Sequence, residues 1–133
     1  MSYKINYKIR GDFLRFELSG SYPIEKFREI SDDMDKVIDS NGISRVMVDL
    51  RNFKERFGVF NGLQHIEKFR PESKTLKFAI VDIPENKQNN RFFENASYSR
   101  GYQILCFYDE KDAEKWLEVE HITEPEKIFV KEY

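Results

Sequence analysis

Apolar and polar residues alternate from Ile5 through Tyr7 to Ile9, and after Gly11 and Asp12 the positions Phe13, Leu14, Phe16 and Leu18 continue in roughly the same rhythm. A period of two puts one set of side chains on a single face of a strand, and a Gly-Asp turn between two such runs predicts a β-hairpin closed by Gly20. The rhythm then changes. Pro23 stands where a first helical residue should, and Ile24, Phe27, Ile30, Met34, Val37 and Ile38 recur at helical spacing. They predict one amphipathic helix of about four to five turns. Asn41-Gly42 ends it with a left-handed residue, and Glu25, Glu29, Asp32, Asp33 and Asp39 form its solvated face.

The run Val46-Met47-Val48-Asp49-Leu50 is short, β-branched and apolar almost throughout, which is the signature of a central strand covered on both faces. Val46, Val48 and Leu50 are expected under one helical layer and Met47 under the other. Phe57, Phe60, Leu63, Ile66 and Phe69 mark a second helix that Pro71 stops, and residues 76–81 form the next buried strand. A third helix with a loose start is expected within residues 84–100 and a last strand over 102–108. Asp109 and Asp112 form a carboxylate capping box before Ala113, Trp116 and Leu117. Trp116 is expected to pack on the sheet.

The predicted order is β-β-α-β-α-β-α-β-α. Each later strand is reached through a helix and must lie parallel to another, so the chain reads as α/β with a mixed, mostly parallel β-sheet flanked by helices. The tail from Val119 to Tyr133 carries many Glu and Lys with Pro125, and reads either as a short strand or as a loosely packed extension.

Composition sharpens this picture. At 133 residues one domain spanning 1–133 is expected, and 12 Phe with 7 Tyr supply large rings for its core. The 22 basic residues against 24 acidic ones give a net charge of -2, which provides no global field to attract nucleic acid or an anionic membrane. The N-terminus has no continuous apolar signal region, no stretch approaches a membrane span, and the one cysteine forms no internal disulfide. A cytoplasmic protein is expected.

Catalytic patterns are not supported. There is no Gly-x-Gly-x-x-Gly after the first strand, no Gly-rich loop ending in Lys-Ser or Lys-Thr, and no Gly-x-Ser-x-Gly. His65 and His121 lie on different elements with no Cys or carboxylate pair at metal spacing, so both read as surface or packing residues and no metal or cofactor is expected. Cys106 reads as a small buried hydrophobe, and Asp49 as a cap on the turn after its strand.

The most specific candidate site is the basic loop after the central strand. Arg51, Asn52, Lys54 and Arg56 precede Phe57 and Gly58 at the start of the second helix, and Lys87 and Arg91 lie on the neighbouring segment. A helix N-terminus flanked by guanidinium groups can hold an anion or a partner's carboxylate at the carboxyl ends of parallel strands. The competing reading is a solvated turn whose charge Glu55 partly neutralises. Phe53, Phe57, Phe60, Phe92 and Phe93 belong either to the core or to an apolar groove beside this loop.

The opening hairpin and helix, Val-Met-Val-Asp-Leu-Arg-Asn at 46–52, Lys77-Phe78-Ala79-Ile80-Val81, and the closing Arg100-Gly101-Tyr102, Phe107-Tyr108-Asp109, Ala113 and Trp116-Leu117 resemble the SpoIIAA-like branch of the STAS domains. The resemblance extends to about residue 117 and implies a non-enzymatic bacterial protein-interaction or regulatory module with a protein partner. In the phosphorylated antagonists of anti-sigma factors a Ser or Thr stands at the start of the second helix. Here Glu55-Arg56-Phe57-Gly58-Val59 offers no hydroxyl, so that switch does not transfer. The same branch resembles lipid-carrying CRAL-TRIO domains, which implies a small apolar or amphipathic ligand as the alternative.

Overall fold

The computed structural model describes residues 2–133, with side chains at every one of these positions except 59 and 60. The apolar role expected of Phe60 therefore lies outside the described residues. β1 (Tyr3–Arg10) and β2 (Phe13–Gly20) form the expected hairpin, followed by α1 (Phe27–Asn41), β3 (Arg45–Phe53), α2 (Val59–Glu67), β4 (Lys77–Val81), α3 (Lys87–Ser99), β5 (Gln103–Phe107), α4 (Glu110–Leu117) and β6 (Lys127–Glu132). The sheet runs β5-β4-β3-β2-β1-β6. β2, β3, β4 and β5 are mutually parallel, while β1 is antiparallel to both β2 and β6.

Local chemistry sets several of these boundaries. Gly20 takes φ +96°, and a Cβ there would lie 2.5 Å from the Ser2 carbonyl oxygen, so the hairpin can close only on glycine. Gly42 caps α1 in the left-handed conformation, φ 61°, and its N–H bonds the Ile38 carbonyl. Pro23 precedes a single 3-10 turn at Ile24–Lys26, and the α-helix begins at Phe27, later than its proline predicts. Asp109 caps α4 by accepting from the Lys111 N–H at 2.8 Å.

The two faces of the sheet are covered unequally. Val46 and the half-buried Val48 and Leu50 face the core shared with Ile30, Ile38 and Ile66, whereas Met47 packs with Ala113, Leu117 and Ile122 beside α4. Alternation along β3 thus sorts its residues between layers as expected. Half-buried Trp116 packs against Phe107 of β5, with ring centroids 5.8 Å apart.

The tail resolves into a strand. β6 extends the sheet beyond β1, with Phe129 opposite Tyr7 and Lys131 opposite Ile5. Lys131 Nζ and the Tyr133 hydroxyl donate to Asp33 of α1 at 2.7 and 3.0 Å, which ties the edge strand to the first helix.

Candidate functional site

The end of β3 and the loop leading to α2 hold most of the residues expected at a site, and the structure divides them between the two faces of the sheet. Arg51 turns toward α4. Its Nε donates to Asp49 Oδ1 at 3.0 Å, and its Nη2 reaches Asp49 Oδ2 and Glu110 Oε1, each at 2.9 Å. Arg15 donates to the same two carboxylates, at 2.8 Å to Asp49 and 3.1 Å to each Glu110 oxygen. Asp49 also accepts from the Arg51 backbone N–H at 3.1 Å, but within β3, which runs on to Phe53, so it does not cap a turn after the strand as expected. Burial works to raise the Asp49 pKa, but the bonds and charges of Arg51 and Arg15 outweigh it and hold the group below the usual carboxylate range.

Arg56 turns the other way. Its Nε and Nη2 donate to Asp82 at 3.1 and 2.7 Å, and its remaining donors reach the carbonyls of Leu50, Phe53 and Glu55, each at 2.6 Å. Asp82 is fully buried beyond β4 and also accepts from Ile83 N–H at 2.7 Å, Asn86 Nδ2 at 3.1 Å and Asn90 Nδ2 at 3.0 Å. Burial again favours the protonated acid, and the bonds from Arg56, Asn90 and the Ile83 N–H prevail, so its pKa is lowered. The expected convergence of Arg51 and Arg56 on one space before α2 is therefore not formed. Each guanidinium is closed onto a carboxylate of its own layer.

The other expected residues surround this anchor. Asn52 and Lys54 are exposed, and the Lys54 N–H bonds the Gly20 carbonyl at 3.1 Å. Gly58 is the N-cap of α2 with extended backbone and supplies no side-chain cap. Lys87 is exposed at the start of α3 with its Nζ 5.6 Å from the Tyr108 ring centroid, and Arg91 is exposed one turn further on. Phe57 is half-buried and stacked on His65 with centroids 4.7 Å apart.

Phe57 leads to the second feature, a pocket of about 150 Å³, partly open to solvent, between the sheet and α1, α2 and α3. Val48, Leu50 and Ile80 form its floor, Phe27 and Met34 one wall, and Phe69 and Phe93 the other. Of the phenylalanines expected in core or groove, Phe53 is buried, Phe57 and Phe93 are half-buried, Phe92 is exposed, and all four line this space. Its polar contributors include His65 and Ser31, whose Nε2 and Oγ lie 3.4 Å apart. Burial first, then the positive charges of Arg28 and Lys68, push the His65 pKa down to about 4, so the ring is neutral at pH 7.

A third cluster was not expected. Glu110 and Glu114, one turn apart on α4, meet His121 so that one ligand atom from each lies within 4.8 Å of the others. The sequence reading found no carboxylate pair for either histidine because residues 110 and 121 are joined only by the chain reversal after α4. His121 Nδ1 lies 2.8 Å from Glu114 Oε2. Both Glu110 oxygens already accept from Arg15, and two guanidinium groups at that distance oppose a cation, so the cluster reads as an ion-pair network.

Asp82 was not singled out in the sequence, and His65 was expected only as a surface or packing residue. Asp82 carried a weak signal, a carboxylate directly after a buried strand and before Pro84. His65 carried a better one, since its spacing from Phe69 places it on the apolar stripe of α2.

No protein-family model and no curated protein matches the chain. Among solved structures, an uncharacterized protein of the DUF3478 family with a SpoIIAA-like fold from Shewanella loihica is 20% identical with a TM-score of 0.54, covering 86% of this chain and 93% of that one. An anti-sigma factor antagonist from Mycobacterium paratuberculosis is 13% identical with a TM-score of 0.56, covering 87% of this chain and 94% of that one. With its mixed sheet and flanking helices, the chain has a SpoIIAA-like fold.

Proposed function

We propose that residues 1–133 form a single cytoplasmic domain that acts as a non-enzymatic regulatory module through a protein partner. The observation that carries this reading is the fold shared over 87% of the chain with an anti-sigma factor antagonist. Two features of the site support it. The polar groups at the carboxyl ends of β3 and β4 are closed on one another, and residues 55–60 contain no Ser, Thr or Tyr to accept a phosphoryl group. The module therefore works without the phosphorylation switch of the antagonists it resembles. Its partner face lies around the start of α2 and α3, where Lys54, Lys87, Arg91 and Phe92 are exposed.

The test places a photo-crosslinking residue at Lys87, Arg91 or Phe92, and separately at Lys4 on the opposite side of the sheet. Saturable crosslinking to one protein from the first three positions is expected. Crosslinking from Lys4 alone would move the interface, and its absence from all four positions would reject the interaction reading.

The cavity favours a second reading, in which the domain carries a small apolar ligand between the sheet and α2. Native mass spectrometry of the purified chain checks it. An adduct of constant small mass is expected from a carrier, and a clean mass with no uptake of added apolar compounds counts against it.

A further inference from the structure

We infer that the cavity beneath α2 is a binding site for one compact, uncharged apolar molecule about the size of a single aromatic ring. This inference rests on the ligand reading above and narrows it to a chemical class. The pocket is lined mainly by apolar side chains, and its volume, about 150 Å³, equals that of apolar cavities that take up benzene. Such a space surrounds a compact ring everywhere but at its open side, whereas an extended chain of ten carbons would be left partly outside it.

The charge of the ligand follows from what lines the space. The guanidinium of Arg56 is committed to Asp82 and to three carbonyls, and that of Arg70 donates to Asp39 at 2.7 and 2.9 Å. Arg28, the third cation at the space, holds Asp32 at 3.2 Å, so each of the three guanidinium groups already has a carboxylate. Asp35 and Glu55 are the acidic residues at the space: an Asp35 oxygen lies 3.4 Å from Arg70 Nε, and Glu55 accepts from the Ser21 hydroxyl at 2.5 Å and the Tyr22 N–H at 3.0 Å, so a ligand ammonium finds no carboxylate without partners. A charged molecule would lose its hydration here without a partner, a large cost. The Phe27, Phe57 and Phe69 rings that surround His65 instead suit a ring placed edge-to-face among them.

The experiment titrates toluene into the full chain and follows backbone amide shifts, with benzoate, benzylamine and 1-decanol as comparisons. Toluene is expected to shift Phe27, Ser31, His65 and Ile80 in a saturable way, with benzoate and benzylamine at least tenfold weaker. Ile80→Phe and Ser31→Leu each add volume at the cavity wall and should weaken toluene at least tenfold. Because either could perturb folding, the comparison among the four probes on the unaltered chain stands as an independent measurement. Equal binding of the charged probes overturns the proposal. Preferential binding of 1-decanol at the same residues also overturns it and leaves the ligand reading standing. If neither toluene nor 1-decanol shifts these amides, both the proposal and the ligand reading fall.

Discussion

Arg56 and Asp82 meet through paired hydrogen bonds of 3.1 and 2.7 Å, joining the loop before α2 to the end of β4 across 26 residues of sequence. The Asp82 side chain is 0% exposed and the Arg56 side chain 15% exposed, so the pair is effectively desolvated. Removing Arg56 leaves the Asp82 charge buried without a counter-ion, held only by the neutral donors of Ile83, Asn86 and Asn90. Arg56→Ala is expected to cost about 3–5 kcal/mol, read as a shift in the urea midpoint at constant slope. A loss below about 1 kcal/mol would mean that the loop is not anchored here.

Arg51 provides the contrast. Its side chain is 37% exposed, and Asp49 keeps Arg15 as a second partner when Arg51 is removed. Arg51→Ala should cost no more than about 1 kcal/mol. The sequence puts both arginines in one basic loop, and the same denaturation series measures how far they differ.

β3 lies third from one edge of the six-stranded sheet, with Val46 and Met47 at 0% exposure. Its amides at 46–50 should exchange with solvent only through large-scale unfolding. β6 pairs on one side only and all six of its residues are exposed, so its amides should exchange far sooner. Hydrogen exchange read residue by residue decides this, and equal rates in the two strands would contradict the sheet order.

The legible parts of this fold are those whose signal is local. The alternation in β3, the Gly42 cap and the Asp109 cap each depend on residues within a few positions of one another, and each appears as expected. The strand β6 did not read clearly because its apolar residues remain exposed, so no burial pattern marks it, and its partner β1 is more than 100 residues away. The site was illegible for the same reason. Helical spacing tells which way a phenylalanine faces but not whether the space in front of it is filled, and nothing near Arg51 or Arg56 in sequence names Glu110 or Asp82 as the carboxylate it meets.

Trp116 is half-buried, packed on Phe107 with Lys77 Nζ 5.3 Å from its ring centroid. A fully buried Trp would cost about 3–5 kcal/mol on truncation. Partial exposure lowers the expected cost of Trp116→Ala to about 2–3 kcal/mol, and a near-neutral result would show that α4 is not docked through this ring. Thermal unfolding followed by far-UV circular dichroism measures the change without relying on the tryptophan signal that the substitution removes.

His65 makes acid stability the most specific prediction for the cavity wall. In the folded chain its pKa is depressed to about 4 by burial and by the nearby positive charges of Arg28 and Lys68, whereas in the unfolded chain it returns to about 6.5. Between these values the unfolded state takes up a proton that the folded state refuses, so stability falls as pH drops through this window. The full contribution is present above pH 6.5 and is lost on descending toward pH 4. Over the interval from pH 7 to 4.5 the loss from this one group is about 2 kcal/mol. Asp49, Asp82 and Glu110, all with lowered pKa values, add losses in the acid range that are shared by any His65 variant. The measurement is therefore a difference: urea unfolding of the parent and of His65→Phe at both pH values. The variant keeps an aromatic ring among Phe27, Phe57 and Phe69 and removes the titrating group, so it should lose about 2 kcal/mol less than the parent. Equal losses would mean that His65 is protonated as readily in the folded chain as in the unfolded one, and that water reaches the cavity wall.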